Sequence, residues 1–295
     1  MRNTHQALLV AAGLVAASAP NQVDAASRYS MPWQLRPAAA ASALRAASAL
    51  AMSDPQTTSA TMLLGSWQIV PDLAPFLRLG VVSNSPDQGE GATLLVNPAF
   101  GATYASAVGD DLRLALFLGL TAPVGQGGGN SPEAAMAPTR NAGMQARSAM
   151  DNAMFAVNDF TVFPGVGLAW VKSDVTLQAE VTFLQLTRVR GEDVQPDSSK
   201  TNLTSGLHVG YFVLSMLSLG MDLRYQRWLS TPKVVEDDPT DTLRDNATLA
   251  VGPRFHFEMD AGWLRPGISY THPLDDPMGK SGYRIVQIDL PFVFK

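Results

Sequence analysis

The stretch Tyr283-Arg-Ile-Val-Gln-Ile-Asp-Leu-Pro-Phe-Val-Phe294 puts Val286, Ile288, Leu290, Phe292 and Phe294 on one face, with Gln287 and Asp289 on the other. Period-two alternation of this kind belongs to a strand whose two faces meet different surroundings. The pattern recurs throughout the chain. Val175, Leu177, Ala179, Val181 and Phe183 alternate with Thr176, Gln178, Glu180 and Thr182, and Leu219, Met221, Leu223 and Tyr225 alternate with Asp222, Arg224 and Gln226. Leu112, Leu114, Leu116, Leu118 and Leu120 share a face opposite Arg113, Ala115 and Gly119, and Val96, Phe100, Ala102, Tyr104 and Val108 are expected to share another. About twelve such segments of roughly ten residues can be marked out, the length that a tilted strand needs to cross a bilayer. The first, from residue 42, is the least distinct. Alanine favours helix, yet Leu44, Ser48, Leu50 and Met52 oppose Ala43, Arg45, Ala47 and Ala49.

The second face decides the fold class. It carries Arg78, Arg113, Gln178, Glu180, His208, Asp222, Arg224, Arg254, His256, Glu258, Arg265, Gln287 and Asp289, together with many glycines. A β-sandwich or lipocalin-type barrel turns an apolar face inward. An apolar outside around a polar lumen is the transmembrane β-barrel arrangement, with the thirteen polar residues just named lining the lumen. Connections alternate as strictly as side chains do. Pro71-Asp72, Gly109-Asp110-Asp111, Lys172-Ser173-Asp174, Ser215-Met216 and Asp260-Ala261-Gly262 are short, and the intervening loops are long. The chain therefore resembles bacterial outer-membrane β-barrels: all-β, antiparallel, about twelve strands, with short periplasmic turns and long extracellular loops. An even strand count places both termini on the periplasmic side. The final strand is similar to the one by which such barrels close and which their assembly machinery reads; here Lys295 follows the terminal aromatic Phe294. Pro98, Pro164, Pro253, Pro266 and Pro291 each remove a ladder donor and are expected at bulges or strand ends.

Export fits this class. Arg2 and His5 precede the apolar run Ala7-Leu-Leu-Val-Ala-Ala-Gly-Leu-Val-Ala-Ala17, and small residues follow at Val23-Asp-Ala25 and Ala26, so residues 1–26 read as a secretory signal. A lead segment, 27–41, precedes the barrel proper, 42–295. After the N-terminus no run of about 18 apolar residues occurs, which removes the transmembrane-helix alternative. Cysteine is absent, which excludes thiol catalysis and cysteine-ligated metal and suits an exported chain without disulfides. With 21 Lys+Arg against 26 Asp+Glu, the net charge of −5 argues against a nucleic-acid partner. The expected surroundings are lipid and lipopolysaccharide of a Gram-negative outer membrane. The acidic loop groups Glu236-Asp237-Asp238 and Asp275-Asp276 are either solvated or bridged to that lipopolysaccharide by divalent cations.

No catalytic signature emerges. His208-Val-Gly, His256-Phe-Glu and His272-Pro-Leu lack the His-x-Ser pair of barrel phospholipases, and no Gly-x-Ser-x-Gly elbow or His-Glu-x-x-His helix occurs. Gly125-Gln-Gly-Gly-Gly129 lacks the Lys-Ser/Thr of a phosphate-binding loop. Spacing provides no third ligand for His208 and His256, so neither metal nor cofactor is expected. The lumen charges either rigidify the wall as ion pairs or line a pore and set its selectivity.

The connection from Gly125 to Phe160 is longer than ordinary loops, and such lengths are usually functional. Pro138 is expected to interrupt it and Thr139 to cap a helix over 140–154, with Ala142, Ala146, Ala149 and Ala153 in one stripe. Arg140, Met144, Arg147, Met150 and Met154 would then form a constriction or lid at the barrel mouth. Finally, Leu116-Phe-Leu-Gly-Leu-Thr-Ala-Pro-Val-Gly125 is similar to the strand ending in Pro-x-Gly of outer-membrane barrels linked to meta-pathway phenol degradation. That resemblance implies uptake of aromatic or other hydrophobic compounds. Two functions stay open at this level. One is a passive channel for small molecules gated by the long loop; the other is a structural or surface-interaction barrel plugged by its own side chains.

Overall fold

In the computed structural model, which describes residues 28–295, Ala43–Ser53 (β1) pairs antiparallel with Gln56–Ser66 (β2) on one side and Arg284–Phe294 (β15) on the other. The sheet therefore closes on itself. Around it run Leu73–Pro86 (β3), Ala92–Leu95 (β4), Ala99–Ala107 (β5), Leu112–Thr121 (β6), Asp159–Lys172 (β7) and Val175–Arg188 (β8). Then come Ser199–Leu214 (β9), Leu217–Trp228 (β10), Asp245–Phe255 (β11), Phe257–Met259 (β12), Gly262–Leu264 (β13) and Gly267–Pro273 (β14). These make a closed twelve-strand antiparallel barrel, because β4 with β5, β11 with β12 and β13 with β14 each form one interrupted stave. The secretory-signal expectation lies outside the described residues.

The interruptions have local causes. Pro98 and Pro266 stand at two of them, while Pro164 and Pro253 lie within β7 and β11 at gaps in the ladders to β8 and β14. Pro291 stays inside β15 opposite Arg45, so only part of the proline expectation holds. At the Val96-Asn97-Pro98 break the pleat changes phase: Val96 points inward, 4% exposed, while Phe100 remains outside. An unbroken strand would have kept both on one face.

Outward positions form the apolar belt that the alternation implied. Leu63, Leu118, Leu207, Leu219 and Ile288 are all exposed, and Trp67 and Tyr211 stand near the turn end. A row of exposed leucines is stable only against lipid or another apolar surface. Trp228 departs from the expected rim of aromatics, since it packs inward beneath the loops.

Inside, the lumen is occupied by two segments of the chain itself. The long connection between β6 and β7 folds inward and carries Met136–Ala146 (α1) and Asn152–Phe155 (α2). Pro138 does not break α1 but sits in its first turn, where its missing N–H has no intrahelical partner to lose. Thr139 accordingly lies inside the helix, buried, rather than capping it. The helix stops at Ala146 instead of continuing to 154 because Ser148 and Ala149 adopt left-handed φ of 54° and 52°. The alanine stripe is buried throughout, and Gly143 allows α1 to approach β3 so closely that a Cβ would stand 2.6 Å from Val82 Cγ1. The loop end of the lumen is consequently a packed core of Val82, Leu94, Ala146, Met154, Phe155, Leu186 and Ile285. The second occupant is the lead segment, residues 28–41, which threads the turn half of the lumen.

Candidate functional site in the lumen

The lead segment lies on the polar wall by its backbone. Ser30 donates its N–H to Thr176 Oγ1 (2.9 Å), Trp33 donates to Asp222 Oδ2 (3.0 Å), and Arg36 gives its N–H and Nη1 to Glu180 (2.6 and 2.7 Å). Carbonyls are met in turn. Arg254 Nε donates to Met31 O (3.1 Å), Gln287 Nε2 to Trp33 O (3.0 Å), and Gln178 Nε2 to Arg36 O (2.7 Å). A non-regular strand inside a barrel has no sheet ladder of its own, so the wall must satisfy its peptide groups.

The glycines have the same origin. A Cβ on Gly206 would meet Leu35 Cδ2 at 2.5 Å, one on Gly210 would meet Ser30 Cβ at 2.2 Å, and one on Gly267 would lie 2.6 Å from the Trp33 ring. The glycines on the polar face are thus seats for the lead segment rather than openings in a water-filled lumen. Trp33, fully buried, stacks under Arg254, whose guanidinium carbon lies 4.4 Å from a Trp33 ring centroid.

All the expected lumen residues face inward, except that Glu258 stands exposed at the rim, paired with Lys295 at 3.1 Å. Gln178, Glu180, His208, Asp222, Arg224, Arg254, His256, Arg265, Gln287 and Asp289 are buried. Arg78 and Arg113 are half-buried and border the cavity. The two histidines are separated by function. His208 Nδ1 joins Asp222 Oδ1 (2.7 Å), whereas His256 Nε2 joins Ser218 Oγ (2.8 Å) and its ring packs on Phe212 with centroids 4.5 Å apart. No group of three potential metal-ligating side chains occurs among the described residues.

One constellation looks chemical. Ser30 Oγ lies 3.3 Å from His208 Nε2, and His208 is oriented by Asp222, a Ser–His–Asp sequence of contacts. Yet all three are buried, none borders the lumen cavity, and Asp222 also accepts from Trp33 and Arg224. A nucleophile needs a place for the reacting carbon beside it. The arrangement fastens the lead segment to β9 and β10.

Expected loop residues divide. Arg147 is buried, Met154 belongs to the loop-end core, Met144 packs against that core, and Met150 borders the cavity. Arg140 turns away to donate to Gly127 O (3.1 Å). Two arginines converge on one carboxylate: Arg147 Nε and Arg78 Nη2 both donate to Asp151 Oδ2 at 2.8 Å, and Arg78 Nη1 reaches Asp151 Oδ1.

What remains open is a cavity of about 770 Å³. It starts at the exposed turn-side rim, at Gln68, Ile69, Val70 and Lys295, and ends beneath Arg147, Met150, Asp151 and Met154. Alanines of β1 and the lead segment line one side; Met62, Phe76, Phe163 and Leu184 line another. Charge inside is unbalanced. Among the described residues, Arg36, Arg45, Arg78, Arg147, Arg224 and Arg254 outnumber the carboxylates they pair with, Glu180, Asp289, Asp151 and Asp222, in a chain whose overall charge is negative.

The loop acids are partly used within their loops. Asp237 accepts from Lys233 at 2.5 Å and Asp276 pairs with Lys280 at 2.8 Å. The Thr240 hydroxyl, with the Thr240 and Leu243 N–H groups, holds the Asp238 carboxyl down to about 2.

Solved structures share this architecture. The barrel is similar to the COG4313 outer-membrane channel from Pseudomonas putida F1, with 13% identity over 90% of this chain and 100% of that one, and a TM-score of 0.56. It is also similar to the NanC porin, with 12% identity over 85% of this chain and 99% of that one, and a TM-score of 0.50. Both neighbours are outer-membrane channels or porins. At these identities the likeness establishes the fold. No protein-family model and no curated protein matches the sequence.

Proposed function

We propose that the protein is an outer-membrane channel for small amphipathic molecules, non-enzymatic, and closed at rest by its own lead segment and long loop. The observation that carries this reading is the one-ended cavity. A barrel that served only as a wall or an adhesive scaffold has no need of a sizeable void bordered by both arginines and apolar side chains. The cavity lies within the size range of small-molecule sites. Its apolar lining accords with the hydrophobic cargo implied by the Leu116–Gly125 motif, in which Gly125 donates its N–H to Asn97 Oδ1 (2.8 Å) where the loop turns inward. Lipid and lipopolysaccharide around the belt, and delivery by the outer-membrane assembly machinery, belong to the same reading. The filling of both lumen halves favours a second one, a permanently plugged barrel.

Planar-bilayer conductance separates them. The intact protein is expected to give small, anion-preferring events, because the lumen carries more arginines than carboxylates. Deleting Ala142 to Asn152 removes the ceiling of the cavity and should raise single-channel conductance several-fold, while deleting 28–38 should open the turn half. Silence from the intact barrel and from both deletions, with folded and heat-modifiable protein, would leave the plugged barrel as the function.

A further inference from the structure

We propose that the upper end of the lumen cavity is a seat for the anionic head of an amphiphile, received by Arg147, with the apolar wall below holding its body. The inference deepens the channel reading and rests on it for the purpose of the site, although binding itself requires no passage.

Charge near the ceiling is not balanced. Arg36 is matched by Glu180, and Arg224 shares Asp222 with His208 and the Trp33 N–H. Arg78 and Arg147 share the single carboxylate of Asp151. Four guanidiniums thus face three carboxylates, and the surplus falls on the last pair. Arg147 is 1% exposed, and its Nη1 makes no hydrogen bond to any described residue. The same side chain borders the cavity. A buried guanidinium nitrogen without an acceptor is costly, and an incoming anion removes that cost while balancing the charge.

The shape selects the rest of the ligand. The cavity that Arg147 borders is also lined by Met154, Phe163, Leu184, Met62 and Phe76, whose side chains offer a thioether and aromatic surface and no acceptor. A planar carboxylate matches the flat fork of a guanidinium and carries the opposite charge, which a neutral hydroxyl head does not. The ligand class is therefore a monoanionic aryl- or alkyl-carboxylate, head upward toward the loop and tail toward the rim.

The test uses the full-length protein in lipid nanodiscs, with empty nanodiscs as the control for partitioning. Binding of 4-phenylbutyrate and of 4-phenylbutan-1-ol is measured by equilibrium dialysis. The acid is expected to bind about tenfold more tightly than the alcohol, the scale of one charged hydrogen bond. Arg147→Met leaves Arg78 and Asp151 matched one to one, so the fold should persist; it should abolish the preference and leave the alcohol unaffected. Arg147→Lys should retain part of it. Equal affinities in the unaltered protein, or a preference that survives Arg147→Met, would overturn the seat. Selectivity for the acid in a protein that never conducts supports the seat and overturns only the channel; conduction without that selectivity does the reverse.

Discussion

Replacing Asp289 by alanine is expected to destabilise the barrel by about 3–5 kcal/mol, the range for stranding a buried charge by removing its partner. Asp289 is fully buried and serves two guanidiniums, one from the adjacent β1 and one from β11, on the far side of β14. Arg45 of β1 donates Nε and Nη2 to it at 2.7 and 2.9 Å, and Arg254 of β11 donates Nη2 at 2.6 Å. The same two arginines reach the lead segment, through Pro32 O (3.0 Å) and Met31 O (3.1 Å). One carboxylate therefore ties β1, β11 and β15 to the segment inside the barrel. Losing it leaves two positive charges inside the lumen without their partner, and the Arg254–Trp33 stack loses its anchor. Asp289→Asn should cost less, because the amide oxygen still accepts one bond. Arg254→Met combined with Asp289→Ala should recover part of the loss, since the uncompensated charge is removed with its partner. Urea-dependent unfolding in detergent micelles, followed by heat-modifiable migration, measures all three. An Asp289→Ala midpoint equal to that of the unaltered protein would refute this account.

The barrel was legible because its outside obeys one rule. Leu219, Met221 and Leu223 face outward and Asp222 and Arg224 inward, and no tertiary contact can rewrite a period of two once a strand is committed. Failures of the pattern occur where a residue is inserted, as at Val96, or where proline withdraws a donor. The contents of the lumen were less legible for a physical reason. An inward face must suit whatever fills the barrel, and water and peptide backbone make similar demands: donors, acceptors and room. Glu180, Gln178 and Asp222 are as compatible with solvent as with the N–H and C=O groups of residues 30–36. Gly206, Gly210 and Gly267 are as compatible with an open pore as with Leu35, Ser30 and Trp33 pressed against them.

Two signals could have resolved the ambiguity. The first is the lead segment itself: Tyr29, Met31, Trp33 and Leu35 alternate, which is an unusual pattern for a free linker, and all four are buried. The second lies in the inward positions toward the loop end. Met62, Val82, Leu94, Leu186 and Ile285 are apolar on the inward face. Apolar residues inside a barrel at one end imply an apolar cover, and the alanine stripe of the long loop was the available candidate. Length and composition make the loop a cover for the mouth, lying over it or within it, but fix neither which of the two nor the helix ends: those depend on Ser148 and Ala149 turning left-handed to bring Arg147 and Asp151 together.

Removing Phe292 to Lys295 should abolish assembly, and the geometry of closure explains why so few residues suffice. Phe292 and Val293 pair with Leu44 and Ala43 of β1, while Phe292, Val293 and Phe294 pair with Leu264, Trp263 and Gly262 of β13. Phe294 also donates its N–H to Ser42 O (2.9 Å). The four residues thus hold the seam on both sides at the turn end, where two short staves meet. Without them, peptide groups on β1 and β13 would face hydrocarbon, where each unsatisfied group costs several kcal/mol. The edge-to-face pair of Phe292 and Phe294, centroids 4.9 Å apart, would be lost as well. Lys295 adds only the last bond of this seam, its N–H to Ala261 O (3.2 Å). Its side chain pairs with exposed Glu258, and such surface pairs contribute little. Deleting Lys295 alone should therefore leave outer-membrane yield and heat-modifiable migration unchanged, whereas deleting all four should leave no heat-modifiable species in the outer-membrane fraction of a Gram-negative host. Normal insertion of the four-residue truncation would mean that the barrel closes elsewhere, and the reading of β15 as the closing strand would fail.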